Sequence, residues 1–201
     1  LTGGTAVTAR AITGRSQDDD RTVTARVAGV HMSAGHTFSK PSVGSIRLVA
    51  GLGVDGDAHS GARVKHRSRV SKDPNQPNLR QVLLFPTELL DELAARGFDV
   101  APGALGENIT TTGIDVFDLP TGTVLRLGAE AMIVLTGLRN PCGQINKLHD
   151  GLLGELRTEV DGQTVRRGGV MSVVVNGGTV REGDPIEISL PPGEPLAMRC
   201  V

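Results

Sequence analysis

Short runs rich in Val, Ile, Leu and Thr, each closed by a glycine-containing turn, follow one another from Thr22 almost to the end of the chain. β-Branched residues suit the half-buried, pleated surface of a strand, and glycine supplies the backbone angles that tight reversals need. This rhythm predicts strands near residues 23–31, 46–50, 81–85, 109–112, 124–127, 131–136, 170–176 and 185–189. Segments 121–128 and 178–184 echo one another as barrel-type turns leading into strands. Two helices interrupt the pattern. Thr87 suits the N-cap of the first, which runs through Leu89, Leu90, Leu93 and Ala94 until Gly97 stops it. The second begins around Cys142 and carries Ile145, Leu148, Leu152 and Leu156 at helical spacing, weakened by Gly151 and Gly154. Many short strands with a few covering helices predict a mainly β fold, a closed β-barrel.

At 201 residues the chain is long enough to bury a real core within one domain, expected over residues 23–201. Residues 1–22 are rich in Thr, Ala and Gly, carry Asp18-Asp19-Asp20 and show no core pattern, so they read as a poorly ordered tail. A net charge of −1 supplies no overall field to recruit nucleic acid or a membrane surface. Trp and Tyr are absent and Phe occurs only at 38, 85, 98 and 117, too few for a base-stacking platform. No apolar stretch approaches membrane-spanning length. The two cysteines, Cys142 and Cys200, are too sparse for a secreted disulfide framework, and a reducing cytoplasm is expected.

Chemistry concentrates in four places. Cys142 sits where a strand hands over to a helix, with Arg139 three residues before it, a setting that favours thiolate. The alternative is a small buried hydrophobe, a common fate of a free cysteine. The loop 51–61 has Gly51, Gly53 and Gly56 before Asp57, so backbone N–H groups suit an anion while His59 reaches inward. Asp55 and Asp57 lack the rest of a calcium loop. The run from Arg63 through Lys65 and His66 to Arg69 suits phosphate as a grip, or is a solvated loop. Residues 71–78, with Pro74 and Pro77, read as an exposed loop able to gate a site. Glu107 suits a general base and Asn108 offers a donor and an acceptor together, or Asn108 serves only the turn. No glycine-rich dinucleotide fingerprint opens a helix after a strand.

Taken in order, residues 51–59 (GLGVDGDAH), 102–110 (PGALGENIT) and 139–142 (RNPC) resemble the successive signatures of the MOSC domain, the C-terminal domain of molybdenum-cofactor sulfurases, also found as small free-standing bacterial proteins. The resemblance runs from about residue 23 to residue 188. It implies a barrel like that of pyruvate kinase and a molybdenum cofactor (molybdopterin) whose metal takes Cys142 as a ligand. It implies catalytic roles for Cys142, Glu107 and Asn108, and cofactor contacts from Lys40, Asp57, His59, Arg63, Lys65, His66 and Arg139. His31 and His36 lie with Lys40 in a segment resembling the family's opening strand and lysine loop. Family members reduce N-hydroxylated compounds such as hydroxylaminopurines and amidoximes, so the implied substrate is a small molecule and the electrons come from a separate flavin or haem partner. The competing implication makes Cys142 a persulfide carrier loaded by a cysteine desulfurase. A third reading is a non-enzymatic module for anionic ligands or nucleic acid, using the basic run.

Overall fold

The computed structural model describes residues 25–65, 70–71 and 73–201. The expected tail and His66 therefore lie outside the described residues. Seven strands form one sheet: β1 (Arg26–Val30), β4 (Val82–Pro86), β5 (Ile109–Thr112), β6 (Val124–Leu127), β7 (Ala131–Leu138), β10 (Val170–Asn176) and β12 (Ile186–Ser189). Their order is β1-β5-β4-β10-β7-β6-β12. Arg26 bridges Pro185, just before β12, and Val27 N–H donates to the Asp184 carbonyl at 2.9 Å, so the sheet closes nearly into a barrel. Closure removes the free edges that would otherwise pair with other chains. Beside it lie a three-stranded sheet, β11 (Gly178–Val180), β2 (Ile46–Val49) and β3 (Gly53–Val54), and a hairpin, β8 (Arg157–Val160) with β9 (Gln163–Arg166).

Alternation dictates which side chains fill the barrel. Along β7, Ala131, Ile133 and Leu135 are buried while Met132, Val134 and Thr136 are only partly so. Leu125 and Leu127 of β6, Val170 of β10 and Ile109 of β5 belong to the same core. Each such burial contributes about 1.5–3 kcal/mol. A second core packs on the outside: Leu89, Leu90 and Leu93 of α1 (Thr87–Ala95) against Phe85, Leu105, Ile145, Leu152 and Leu156. α1 joins β4 to β5, the sheet's one parallel pair, and such pairs need a crossover. Ile145 is fully buried in this second core, and it fixes the segment that bears Cys142.

The strands fall close to where the sequence places them; the helices differ. Thr87 is the first helical residue, its hydroxyl turned to Glu88, and Pro86 holds the N-cap position. Proline without an N–H is harmless there, because the first N–H groups of a helix lack partners anyway. The predicted helix from Cys142 is broken in two. A 3-10 segment (Gly143–Lys147) is followed by Gly151 at φ 82°, then the short α2 (Leu152–Leu156). Left-handed Gly151 turns the leucine stripe, so Ile145, Leu152 and Leu156 still reach one core without a continuous helix.

Candidate functional site

Leu83 of β4, the start of β5 and the end of β7 border one space, and loops from four parts of the chain meet over it. They enclose a cavity of about 830 Å³. Lys40 comes from the β1–β2 connection, His59 from the loop after β3, Asn108 from the start of β5, and Arg139 and Cys142 from the end of β7. Three sequence blocks 30 or more residues apart thus converge on one space.

Glycines decide how closely these loops approach. Gly103 has φ 83°, and a Cβ there would lie 2.3 Å from the Lys40 carbonyl oxygen. Gly106 has φ 85°, and its Cβ would lie 2.5 Å from the Phe38 carbonyl. The turn from Pro102 to Gly106 is therefore pressed against the loop that carries Phe38 and Lys40, with Lys40 N–H donating to the Gly103 carbonyl at 2.9 Å. Only glycine tolerates both the contact and the backbone angle.

Asp57 is the hub beneath the cavity floor. Its Oδ2 lies 2.8 Å from Lys40 Nζ, with side-chain exposures of 3% and 5%, and accepts from Asn108 Nδ2 at 3.1 Å. Its Oδ1 accepts from the His59 N–H at 2.9 Å and faces His59 Nδ1 at 3.2 Å. Burial alone would raise its carboxyl, but the His59 bonds and the Lys40 ammonium outweigh burial and hold it well below the usual carboxylate range. Burial draws the Lys40 ammonium below the usual lysine value, with Asp57 pulling it back.

Glu107 lies under the floor rather than on it, fully buried. Its Oε1 accepts the Gly103 N–H at 2.6 Å, while Oε2 has no partner. Burial raises its carboxyl above the usual glutamate value, against the Gly103 bond and the nearby Arg139 charge. Arg139 Nη1 donates to the Leu105 carbonyl at 2.6 Å, and its guanidinium sits 5.6 Å from the Phe38 ring centre. His31, also buried, bridges Ser42 at 3.1 Å and Thr110 at 2.8 Å, and burial followed by the Lys40 charge lowers it to about 4.

Cys142 is exposed and free, as is Cys200. Its Sγ lies 3.8 Å from Gln144 Oε1. The buried-hydrophobe alternative therefore fails for this residue. The single 3-10 turn after it offers fewer aligned peptide dipoles than the helix the sequence predicts. Lys65 and His36 line the cavity, but Arg63 turns away to Asn75. Sequence reading missed Asn78 and Arg80. Asn78, expected in an exposed loop, is buried and donates to the carbonyls of His59 and Gly61 at 3.1 and 2.9 Å. Its Oδ1 accepts from the Arg80 N–H, and Arg80 lines the cavity. Among the described residues no three His, Cys, Asp or Glu side chains gather to hold a metal, and no helix is long and apolar enough to cross a membrane.

Structural comparison finds this fold elsewhere. YuaD from Bacillus subtilis is 22% identical with a TM-score of 0.68, the match covering 82% of this chain and 95% of that one. YiiM from Geobacillus stearothermophilus is 16% identical with a TM-score of 0.59, covering 86% and 79%. YiiM from Escherichia coli is 22% identical with a TM-score of 0.54, covering 86% and 73%. At such identities these likenesses concern the fold. No curated protein matches the chain. The MOSC domain profile, however, matches residues 57–187, which contain Asp57, Glu107, Asn108 and Cys142, and the chain belongs to the MOSC domain family.

Proposed function

We propose that the cavity binds molybdenum cofactor with Cys142 as the metal's protein ligand, and that the chain reduces N-hydroxylated small molecules with electrons from a separate flavin or haem protein. The carrying observation is that the exposed Cys142 thiol shares one cavity with the cations of Lys65, Arg80 and Arg139. A soft thiolate suits molybdenum, and a cationic wall suits the phosphate on the pterin. A cavity of about 830 Å³ falls in the range of cofactor pockets. When bound, the cofactor supplies a two-electron redox centre.

This chain's residues do the rest. Asn108 is held by Asp57, the His31 carbonyl and the Leu83 N–H, which fixes its orientation toward the floor. Lys65, Arg80 and Arg139 neutralise an anionic ligand. Asp57 does not oppose them, since Lys40 compensates its charge. Glu107, tilted toward its neutral form by burial, adds little negative charge beneath them.

Molybdenum and pterin per chain, measured in wild type and Cys142→Ser purified anaerobically from a host that makes the cofactor, test the reading. Stoichiometric metal in wild type, lost or labile in the variant, is expected. No metal in wild type refutes the reductase, and a persulfide on Cys142 after incubation with a cysteine desulfurase would then establish the sulfur carrier instead.

A further inference from the structure

The hairpin of β8 and β9 lies outside the barrel sheet and leads straight into the site. Every residue of β8 is exposed and no residue of β9 is buried. At its base the chain closes onto the stretch that precedes Cys142. Arg166 Nε donates to the Asn140 side-chain oxygen at 3.2 Å, and Asn140 lines the cavity. A Cβ on Gly168 would lie 3.0 Å from the Pro141 Cβ, and the Arg139 N–H donates to the Gly169 carbonyl at 2.9 Å. The hairpin is thus bound to the loop that carries Cys142.

Pairing places Arg157 directly opposite Arg166 and Glu159 opposite Thr164, so these four side chains share one face. Like charges directly opposite each other destabilise a sheet, and an isolated two-stranded hairpin is marginal already. Among the described residues nothing relieves the pair. The Arg157 side chain has no hydrogen-bond or ion-pair partner there, and Arg166 turns to Asn140 and to the Thr164 carbonyl. Glu159, the one carboxylate of the face, accepts from the Thr164 hydroxyl at 2.6 Å and pairs with neither arginine. The adjoining cavity is lined by Lys65, Arg80 and Arg139, and by no described Asp or Glu. With a net charge of only −1 over the whole chain, this local excess of cations, not an overall field, is what a partner meets. Small ligands take concave sites, whereas an exposed hairpin face suits a protein. Val160 and Val165, 51% and 39% exposed on the reverse face, add apolar area that nucleic-acid phosphates would not use.

We propose that the hairpin face bearing Arg157 and Arg166 docks an acidic patch on the protein that donates electrons, bringing that donor beside Asn140 and the Cys142 loop. The inference rests on the reductase reading, in which the donor's flavin or haem is oxidised as the molybdenum centre is reduced.

Arg157→Glu tests it outside the cavity. The variant removes the like-charge pair and sets a carboxylate opposite Arg166, so its Tm is expected to hold or rise. Two acidic proteins serve as probes, a flavodoxin and an acidic soluble haem cytochrome. In nitrogen-15 spectra of the metal-free chain at low salt, at least one probe is expected to shift the amide signals of residues 157–166, with the shifts lost at about 0.5 M salt and in Arg157→Glu. No hairpin shift with either probe would overturn the proposal. With loaded protein, kcat/KM for the bound donor is expected to fall about 10-fold or more in Arg157→Glu, while turnover driven by reduced methyl viologen, a small cation that needs no docking face, holds within about two-fold. Equal losses with both reductants, or no loss with the protein donor, would also overturn it. Absence of molybdenum from the wild type would sink the reductase reading and the partner's role as donor; the spectra of the metal-free chain decide the docking face independently.

Discussion

Replacing Lys40 by Met removes a charge while keeping an unbranched stem of similar length in a site where the side chain is 5% exposed. Asp57, at 3%, is then left ionised without its cation. Breaking a buried pair from one side costs about 3–5 kcal/mol, because the surviving charge stays buried. Asn108 Nδ2 and the His59 N–H still donate to the carboxylate, so the expected loss lies at the low end, about 3 kcal/mol. Urea unfolding of the metal-free chain near neutral pH measures it. The sign of the pH dependence follows from Asp57. Its native pKa is depressed, so its contribution is present above the unfolded carboxylate range and is lost as pH falls through the native value. Removing Lys40 lets Asp57 take a proton more readily, and the gap between wild type and variant narrows toward acid. Adding Asp57→Asn removes the stranded charge, so the double variant is expected to regain about 1 kcal/mol over Lys40→Met alone. A loss below about 1 kcal/mol, as for an exposed pair, or a double variant no better than the single one, would refute the hub.

Glu107→Gln is expected to change stability in the opposite sense with pH. Burial raises the native Glu107 carboxyl, so wild type is most favoured below the unfolded glutamate range and loses that contribution as pH rises. The variant should gain on wild type as pH rises above the unfolded glutamate range, by about 1.4 kcal/mol for each unit separating the native and unfolded pKa values, read from urea midpoints; a constant difference would count against a buried, unpartnered carboxyl. Gly103→Ala places a Cβ 2.3 Å from the Lys40 carbonyl at φ 83°. A loss of about 4 kcal/mol or more is expected in thermal unfolding, and a near-wild-type Tm would show that the two loops are not pressed together.

The barrel was legible because its strands obey local rules. Residues 109–112, 124–127 and 170–176 were expected as strands and are strands, since each couples β-branched residues to a glycine-bearing turn. The β8–β9 hairpin escaped for a physical reason: every residue of β8 is exposed, so no apolar face marks it. Its one signal was Asp161-Gly162, both at positive φ, a pair suited to the tight turn that matches strand twist. The false helix after Cys142 has the converse cause. Leucines at helical spacing report which residues reach a core, and a left-handed glycine can deliver them there by another path.

The site was legible where chemistry shows in residue type and hidden where it depends on approach. Cys142, Lys40 and His59 were candidates because thiol, amine and imidazole are conspicuous in a chain with few of them. Asn78 and Arg80 were not, since an amide in a proline-containing loop carries no local sign that it will be buried against the carbonyls of His59 and Gly61. The reason Gly103 and Gly106 bracket the stretch before Glu107 was equally invisible. Each glycine is defined by a carbonyl more than 60 positions earlier, on Lys40 and Phe38. What the block from Pro102 to Asn108 encodes is therefore a docking face for the Lys40 loop, and that docking sets Lys40 against Asp57. The same pairing holds the carboxylate that orients His59 and braces Asn108, so a change at a glycine remote from any ligand is transmitted to the cavity through the position of one charge.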